Sequence, residues 1–174
     1  REAGGNSVRT WGVDRLQSVL DGAQKQGLTV CVGIWFHHEH DKEGFDYSRP
    51  EMVKAQLEQV RQPVLRFKDH PAVLLWGLGN EMEGEAGDKV EIWNAIQAAA
   101  KLTKELDPNH PTMTVIAEIG GQKVAGIHKY CPDIDIIGIN SYGGGPSVAE
   151  RYAKLKGTKP YIITEFGPVG PWET

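Results

Sequence analysis

The chain has 174 residues, which is enough for one domain with a sizeable hydrophobic core. Its formal net charge of −4 argues against nucleic acid or an anionic membrane surface as a partner. No apolar stretch is long enough to span a membrane, and the opening residues, which begin at Arg1, show no signal peptide.

Six strand patterns alternate with five helix patterns along the chain. The strand patterns are apolar runs typical of buried parallel strands, and they cover residues 6–11, 28–36, 72–81, 112–117, 134–139 and 161–164. The helix patterns carry apolar residues on one face, and they cover residues 12–27, 48–67, 88–107, 122–130 and 147–156. The central strand pattern ends on Asn80 and Glu81, where the chain should leave the sheet.

Local signals at the helix ends give further predictions. Gly27 stands where a C-terminal glycine is expected. Ser48, Asp88 and Ser147, each followed three residues later by Glu, predict N-terminal caps. Pro63 predicts a kink or an interruption in the second helix.

Two tryptophans and two cysteines bear on the core. Trp35 and Trp76 lie in strand patterns, and we predict that both indoles are buried. Cys31 and Cys131 match neither a disulfide framework nor a paired-cysteine metal motif. We therefore predict two free thiols, one of them in the core.

Strict alternation of strand and helix predicts a parallel sheet with right-handed crossovers. Two architectures fit: an open doubly wound sheet, or a (β/α)8 barrel of the TIM type that lacks two strands. No glycine-rich phosphate loop follows the first strand, which disfavours a nucleotide-binding sheet. Polar side chains instead collect at the carboxyl ends of the strands, which is typical of barrel sites. They are Arg9, His37, Glu81, Glu118, Asn140, Tyr142 and Glu165.

Two of these strand ends resemble glycoside hydrolase clan A, the retaining (β/α)8 glycosidases. Asn80-Glu81 is similar to the end of the clan's fourth strand, and Thr164-Glu165-Phe166-Gly167 is similar to the end of the seventh. Residues 6–11, 28–38 and 134–142 look like its second, third and sixth strands. The similarity is closest to family 5 cellulases and mannanases and to the barrel domain of family 2. It implies a single partial barrel over residues 1–174, with strands two to seven present and strands one and eight missing.

The resemblance implies a catalytic pair of carboxyl groups. Glu81 would be the acid/base and Glu165 the nucleophile, roughly 5–5.5 Å apart as retention requires. Arg9 would hold Glu165 ionised, and Tyr142 would donate a hydrogen bond to it. Glu81 would sit in a less positive setting and keep its proton.

The same resemblance implies a set of sugar contacts. Asn80 would bind the sugar 2-hydroxyl, an interaction that strengthens in the transition state. The other predicted substrate-binding residues are His37, His38, Asn140 and Trp172, with Trp11 as a second flat apolar face. Glu39 and Glu118 we interpret as loop acids.

Two other functions remain open. The run His37-His38-Glu39-His40-Asp41 suggests a metal-dependent barrel hydrolase, although adjacent residues on a strand point to opposite faces and cannot easily chelate one ion. A non-catalytic carbohydrate-binding barrel is the other alternative, and the presence of both carboxylates argues against it.

The clan implies partners as well as chemistry. We expect a β-glucan or β-mannan substrate, with a cellulose-like glucan first, and no cofactor or metal. We expect the chain to self-associate through exposed sheet edges, or to be a piece of a larger protein whose natural N-terminus lies upstream. A polysaccharide substrate is typical of secreted or periplasmic enzymes.

Overall fold

Six parallel strands form one sheet in the computed structural model, which describes residues 2–39, 41–42, 44–84 and 87–169. The strands are β1 (Ser7–Arg9), β2 (Thr29–Ile34), β3 (Val73–Asn80), β4 (Thr112–Ala117), β5 (Ile136–Tyr142) and β6 (Tyr161–Gly167). The helices between them are α1 (Leu16–Lys25), α2 (Pro50–Phe67), α3 (Val90–Leu106), α4 (Lys123–Tyr130) and α5 (Val148–Lys154). A short 3₁₀ turn, Gly145–Ser147, precedes α5.

The strand order distinguishes the two predicted architectures. The strands follow one another as β1-β2-β3-β4-β5-β6, each parallel to its neighbour, whereas a doubly wound sheet reverses its order at a switch point. The sheet also curls, since its two edge strands come together: Arg9, the last residue of β1, forms an ion pair with Glu165 of β6. The prediction of a truncated (β/α)8 barrel with six strands is therefore confirmed.

Apolar side chains fill both faces of the curled sheet. A small cluster of Leu75, Met113 and Val115 packs on one face, and the larger cluster joins the sheet to the helices. Trp76 belongs to the larger cluster, and its indole N–H donates to Asp107 at the end of α3 at 2.8 Å. Alternation along β3 thus fills the barrel interior with Leu75 and the helix layer with Trp76. The prediction that Trp76 is buried is confirmed.

The prediction that Trp35 is buried is wrong. Its side chain is 46% exposed, while Ile34 and Phe36 on either side are buried. Because side chains alternate, Trp35 lies on the face opposite to the helix layer, beyond the last residue of β2. There it stacks on the ring of His38, with 5.4 Å between ring centroids.

The end of α1 follows the glycine prediction. Gly27 has φ +64, and its N–H donates to the Gln24 carbonyl at 3.0 Å. The N–H of Leu28 donates to the Ala23 carbonyl at 2.9 Å. This pair of bonds is a Schellman motif, which satisfies carbonyls that the helix end would otherwise leave unpaired.

The predicted side-chain caps are wrong. The residues before α2 and α3 are Arg49 and Lys89, and neither makes a capping side-chain bond. The Ser48 hydroxyl donates to the Asp46 carboxylate instead, at 2.6 Å. Ser147 does precede α5, but its hydroxyl donates backwards to the Gly144 carbonyl at 2.9 Å. Local turn contacts use both hydroxyls, which therefore do not cap the helices.

Pro63 does not interrupt α2, which runs unbroken from Pro50 to Phe67. The proline ring lies in the buried stripe of the helix together with Val60, Val64 and Phe67. Burial of this apolar ring against the core offsets the missing hydrogen bond.

Both cysteines are free thiols, as predicted, with Cys131 fully buried and Cys31 half-buried beside Ser7. Within the described part of the chain, no helix combines the length and the apolarity that a membrane crossing needs.

Gly33 of β2 lies against the exit of β1 and should be intolerant of any side chain. A Cβ on Gly33 would lie 2.0 Å from the backbone carbonyl oxygen of Thr10, whose hydroxyl accepts the Gly33 N–H at 3.0 Å. We predict that Gly33→Ala lowers the free energy of unfolding by about 1–3 kcal/mol in a urea titration. Gly22→Ala in α1 is the matched control, since a Cβ there meets no atom within 4 Å and alanine favours the helix. Equal stability of the two variants would contradict this prediction.

Candidate active site

The predicted site residues gather at one end of the barrel. Arg9 ends β1, Asn80 ends β3, and Glu81 follows directly after it. Asn140 lies in β5, where it is in register with Glu165 of β6. Since all six strands are parallel, their carboxyl ends meet at the same rim, where barrel enzymes hold their active sites.

Glu165 accepts three hydrogen bonds. Arg9 Nη1 and Trp11 Nε1 each donate to Oε1 at 2.9 Å, and the Tyr142 hydroxyl donates to Oε2 at 2.9 Å. Burial would raise the pKa of this carboxyl, but the bonds from Trp11, Tyr142 and Arg9 outweigh it and leave the pKa below its usual value. Glu165 is therefore an ionised carboxylate near neutral pH.

Trp11 makes a contact that sequence reasoning did not predict. The sequence suggested a flat face for a sugar ring, and the structure adds a hydrogen bond from the indole N–H to Glu165. The Arg9 guanidinium also lies 5.2 Å from the Trp11 ring centroid. One signal was available: Arg9 and Trp11 are two residues apart, the spacing that puts two side chains of an extended segment on the same face.

Glu81 has a neutral partner. The amide nitrogen of Asn140 donates to Glu81 Oε1 at 2.7 Å. The Glu81 backbone N–H donates to the Val115 carbonyl at 2.9 Å, and the residue has φ 55. Arg9 directs its guanidinium to Glu165 and Asn80. The two carboxyl groups therefore have different hydrogen-bond partners, since the cationic Arg9 reaches Glu165 and the neutral amide of Asn140 reaches Glu81.

Asn140 connects the surroundings of both carboxylates. Its amide nitrogen also reaches Asn80 Oδ1 at 3.3 Å, and its amide oxygen accepts the Thr164 hydroxyl at 2.7 Å. Sequence reasoning missed Thr164, which precedes Glu165 and fixes the orientation of this amide. The hydrogen bond to Glu165 is the largest of the causes that raise the pKa of the Tyr142 hydroxyl, and burial is the second.

The two histidines diverge. His38 Nε2 lies 2.9 Å from the Asn80 carbonyl oxygen, next to the carboxylate network. His37 turns the other way, with Nδ1 2.8 Å from Asp41 Oδ2 and its ring stacked on Phe45. Among the described residues, no group of three or more His, Cys, Asp or Glu side chains is placed to hold a metal ion. His40 and the predicted sugar contact Trp172 lie outside the described residues.

The two predicted loop acids are both paired. Glu39 forms an ion pair with Lys89. Glu118 follows β4 directly with φ 55, accepts the Ile119 N–H at 2.9 Å and the Ser141 hydroxyl at 2.7 Å, and pairs with Arg151 Nη2 at 2.8 Å. Burial would raise the pKa of Glu118, but these bonds outweigh it and lower the pKa. A carboxyl held ionised in this way is unsuited to donate a proton.

Removal of one donor to Glu165 should change the pH dependence of any activity that needs its carboxylate. The acidic limb of kcat/KM should lie below pH 4.5, the ordinary value for this side chain. Tyr142→Phe removes a donor to Oε2, so the pKa should rise and the limb should move to higher pH. Tyr130→Phe on α4 is the control and should leave the limb in place. A limb that is the same in both variants would contradict this assignment.

A curled parallel sheet with polar side chains gathered at its carboxyl-terminal rim places the chain among the (β/α)8 barrel proteins. Residues 4–169 match the model of the family described as glycosyl hydrolases family 2, TIM barrel domain. The chain belongs to this family, which confirms the predicted resemblance to clan A.

Relatives with curated names cover most of the chain at low identity. The β-glucuronidase of Paenibacillus borealis is 26% identical in an alignment 181 residues long, which covers 93% of this chain and 29% of that protein. Mannan endo-1,4-β-mannosidase F of Aspergillus fumigatus is 24% identical in an alignment 194 residues long, which covers 90% of this chain and 44% of that protein. The chain thus spans less than half the length of these relatives.

Solved structures show the same fold. The β-D-glucuronidase of Dictyoglomus thermophilum matches 94% of this chain and 30% of its own with a TM-score of 0.70 and 22% identity. The family 2 β-galacturonidase of Eisenbergiella tayi matches 92% of this chain and 29% of its own with a TM-score of 0.70 and 23% identity.

Proposed function

We propose that this domain cleaves β-glycosides with retention of configuration, with Glu165 as nucleophile and Glu81 as acid/base. The observation that carries the proposal is the unequal hydrogen bonding of the two carboxyl groups. Three donors stabilise Glu165 as a carboxylate, whereas Glu81 bonds to the neutral amide of Asn140. Such a difference is what a retaining glycosidase needs from its carboxyl pair.

The first chemical step forms a glycosyl ester. A Glu165 carboxylate oxygen attacks the anomeric carbon while the bond from that carbon to the leaving oxygen breaks. The electron pair of the breaking bond goes to the leaving oxygen, which takes the proton of Glu81. Arg9, Trp11 and Tyr142 hold the attacking oxygens in place until the ester forms.

The second step hydrolyses the ester. Glu81, now a carboxylate, takes a proton from water as the water oxygen bonds to the anomeric carbon. The ester bond breaks and its electron pair returns to Glu165. Two inversions at one carbon give net retention.

Asn80 is oriented to donate to the sugar. Its side-chain oxygen accepts from Arg9 Nη2 at 2.7 Å and from Asn140 Nδ2 at 3.3 Å. Because both partners are donors, the oxygen of the Asn80 amide is fixed and its NH2 group remains for the sugar 2-hydroxyl. His38, on the Asn80 carbonyl, is proposed to line the same sugar subsite. His37 stays a prediction, although its ring is engaged with Asp41 and Phe45.

The proposed substrate class is wider than the cellulose-like glucan expected from the sequence. The curated relatives reported above are a β-glucuronidase and an endo-β-mannosidase. We propose a β-linked pyranoside, with β-mannan and β-glucan chains ahead of β-glucuronides.

A panel of aryl β-glucosides, β-mannosides and β-glucuronides tests the proposal. Proton NMR should show the β-anomer of the sugar as the first product, before mutarotation. Activity should persist in the presence of a chelator, whereas its loss would favour a metal-dependent hydrolase. Retention on polysaccharide with no product from any substrate would favour a binding barrel.

We also propose that the isolated chain self-associates. The edge strands β1 and β6 each pair with one neighbour, and Val8, Ile162 and Phe166 on them are 42%, 39% and 79% exposed. Exposed apolar edges favour strand pairing between copies. Sedimentation velocity should show mass above the 19.2 kDa monomer that rises with concentration. A sharp monomer at all concentrations would contradict this.

A further inference from the structure

The loop that carries Glu81 also holds a buried charge. Among the described residues, three charged side chains are buried: Glu83, Asp107 and Lys123, at 4%, 1% and 5% exposure. Asp107 ends α3 and accepts the indole of Trp76 and the ring of His110. Glu83, two residues after Glu81, forms an ion pair with Lys123.

The Glu83 carboxylate ties this loop to the neighbouring strand and helix. Glu83 Oε1 accepts the backbone N–H of Ala117, the last residue of β4, at 2.8 Å. The same oxygen lies 3.3 Å from the Lys123 ammonium, which also donates to the Ala117 carbonyl. Lys123 is the first residue of α4, so one carboxylate joins three segments of the chain.

Lys123 also packs against the far end of the loop. Gly87 has φ +65, and a Cβ there would lie 2.6 Å from Lys123 Cγ. The Gly87 carbonyl accepts the indole N–H of Trp93 at 3.0 Å. The loop is therefore held against α4 both at Glu83 and at Gly87.

Glu81 itself needs such a support. It has φ 55, a left-handed conformation that is costly for any residue with a side chain and persists only where the surroundings fix it. Its backbone N–H is bonded to Val115, and Met82 beside it is buried. Glu83 completes these supports on the far side of the strained residue.

We propose that Glu83 is a positioning residue that holds the acid/base Glu81 at its productive orientation. The inference rests on the proposed function, because it assigns a task to the setting of Glu81. A buried ion pair is seldom the most stabilising choice, since apolar residues of the same volume often serve stability as well. Unlike an apolar pair, the Glu83 carboxylate accepts one particular backbone N–H, that of Ala117, and so fixes the position of the loop relative to β4.

The dependence on the leaving group separates this role from a structural one. A poor leaving group such as a phenol needs the proton of Glu81, whereas dinitrophenolate leaves without it. In Glu83→Ala, kcat/KM should fall about 10- to 100-fold on the phenyl β-glycoside and less than about threefold on the dinitrophenyl one, because a misplaced acid loses part of its contribution. Equal losses on both substrates would show a structural role and overturn the proposal.

Asp135→Ala is the matched control, because Asp135 contacts the start of β4 in the same way as Glu83 contacts its end. Asp135 accepts the backbone N–H of Thr112, the first residue of β4, at 2.9 Å and pairs with Lys104 at 2.6 Å. It should alter both substrates to the same extent. Since Glu83→Ala leaves a buried ammonium unpaired, Glu83→Ala/Lys123→Met is tested beside it, and the selective loss should be present in both.

Hydrogen exchange decides the case independently of activity. The Glu81 amide, bonded to the Val115 carbonyl, should exchange at least about tenfold faster in the Glu83 variants than in wild type or Asp135→Ala. An unchanged rate would overturn the proposal. If the wild-type chain cleaves no β-glycoside, the proposed function fails on its own, and the exchange rate still shows whether Glu83 holds Glu81.

Discussion

Glu165→Ala should abolish turnover of every β-glycoside that the protein accepts. The variant removes the nucleophile itself, so the loss should be on the order of 10⁵-fold, comparable with removal of the nucleophile in other covalent enzymes. The measurement that checks it is intact-protein mass spectrometry after incubation with 2-deoxy-2-fluoro-β-glycosides that carry a good leaving group. Fluorine slows hydrolysis of the ester, so wild type should gain one sugar on a peptide that contains Glu165.

The control is a carboxylate of the same type outside the site. Glu150 is 71% exposed in its side chain and pairs with Lys154 one turn along α5. Glu150→Ala should be labelled like wild type and keep its activity, whereas Glu165→Ala should gain no mass. A label on another residue, or a label on Glu165→Ala, would show that the nucleophile lies elsewhere.

The strand exits were the part of the site that sequence could predict. Arg9, Asn80, Asn140, Tyr142 and Glu165 lie at or near the ends of predicted strands, and parallel strands bring such residues to one rim whatever the loops do. The interactions among them needed coordinates. Which donor binds which oxygen of Glu165 depends on how far the sheet curls. The hydrophobic pattern of the sequence predicts the strands but not the curvature of the sheet.

The buried charge of the Glu81 loop could not be predicted from the sequence. Glu83 is one of several acids in a polar loop, and nothing local predicts that Lys123, forty residues later, will cover it. For Trp35 the error is the opposite: burial was predicted and the residue is exposed, because an apolar run does not show where a strand leaves the sheet. Ser48 shows that a capping pattern predicts a helix end only when no nearby carboxylate competes for the hydroxyl.

Glu81→Ala should impair the two chemical steps unequally. Without a general acid, poor leaving groups should lose about 10²–10⁴ in kcat/KM, whereas dinitrophenyl glycosides should lose little in the first step. Without a general base, water attacks the ester slowly, so a dinitrophenyl substrate should give a burst of dinitrophenolate followed by slow turnover. Stopped-flow absorbance measures both phases.

Azide separates the loss of a base from a general loss of structure. It is an anionic nucleophile that needs no proton removed, so it should accelerate the slow phase of Glu81→Ala and yield a β-glycosyl azide, while leaving wild type unchanged. Azide should not rescue Glu165→Ala in the same way, because no ester forms there. If azide has no effect on Glu81→Ala, or if good and poor leaving groups lose activity equally, then Glu81 is not the acid/base. The Asn140 bond to Glu81 would then hold a structural carboxylate.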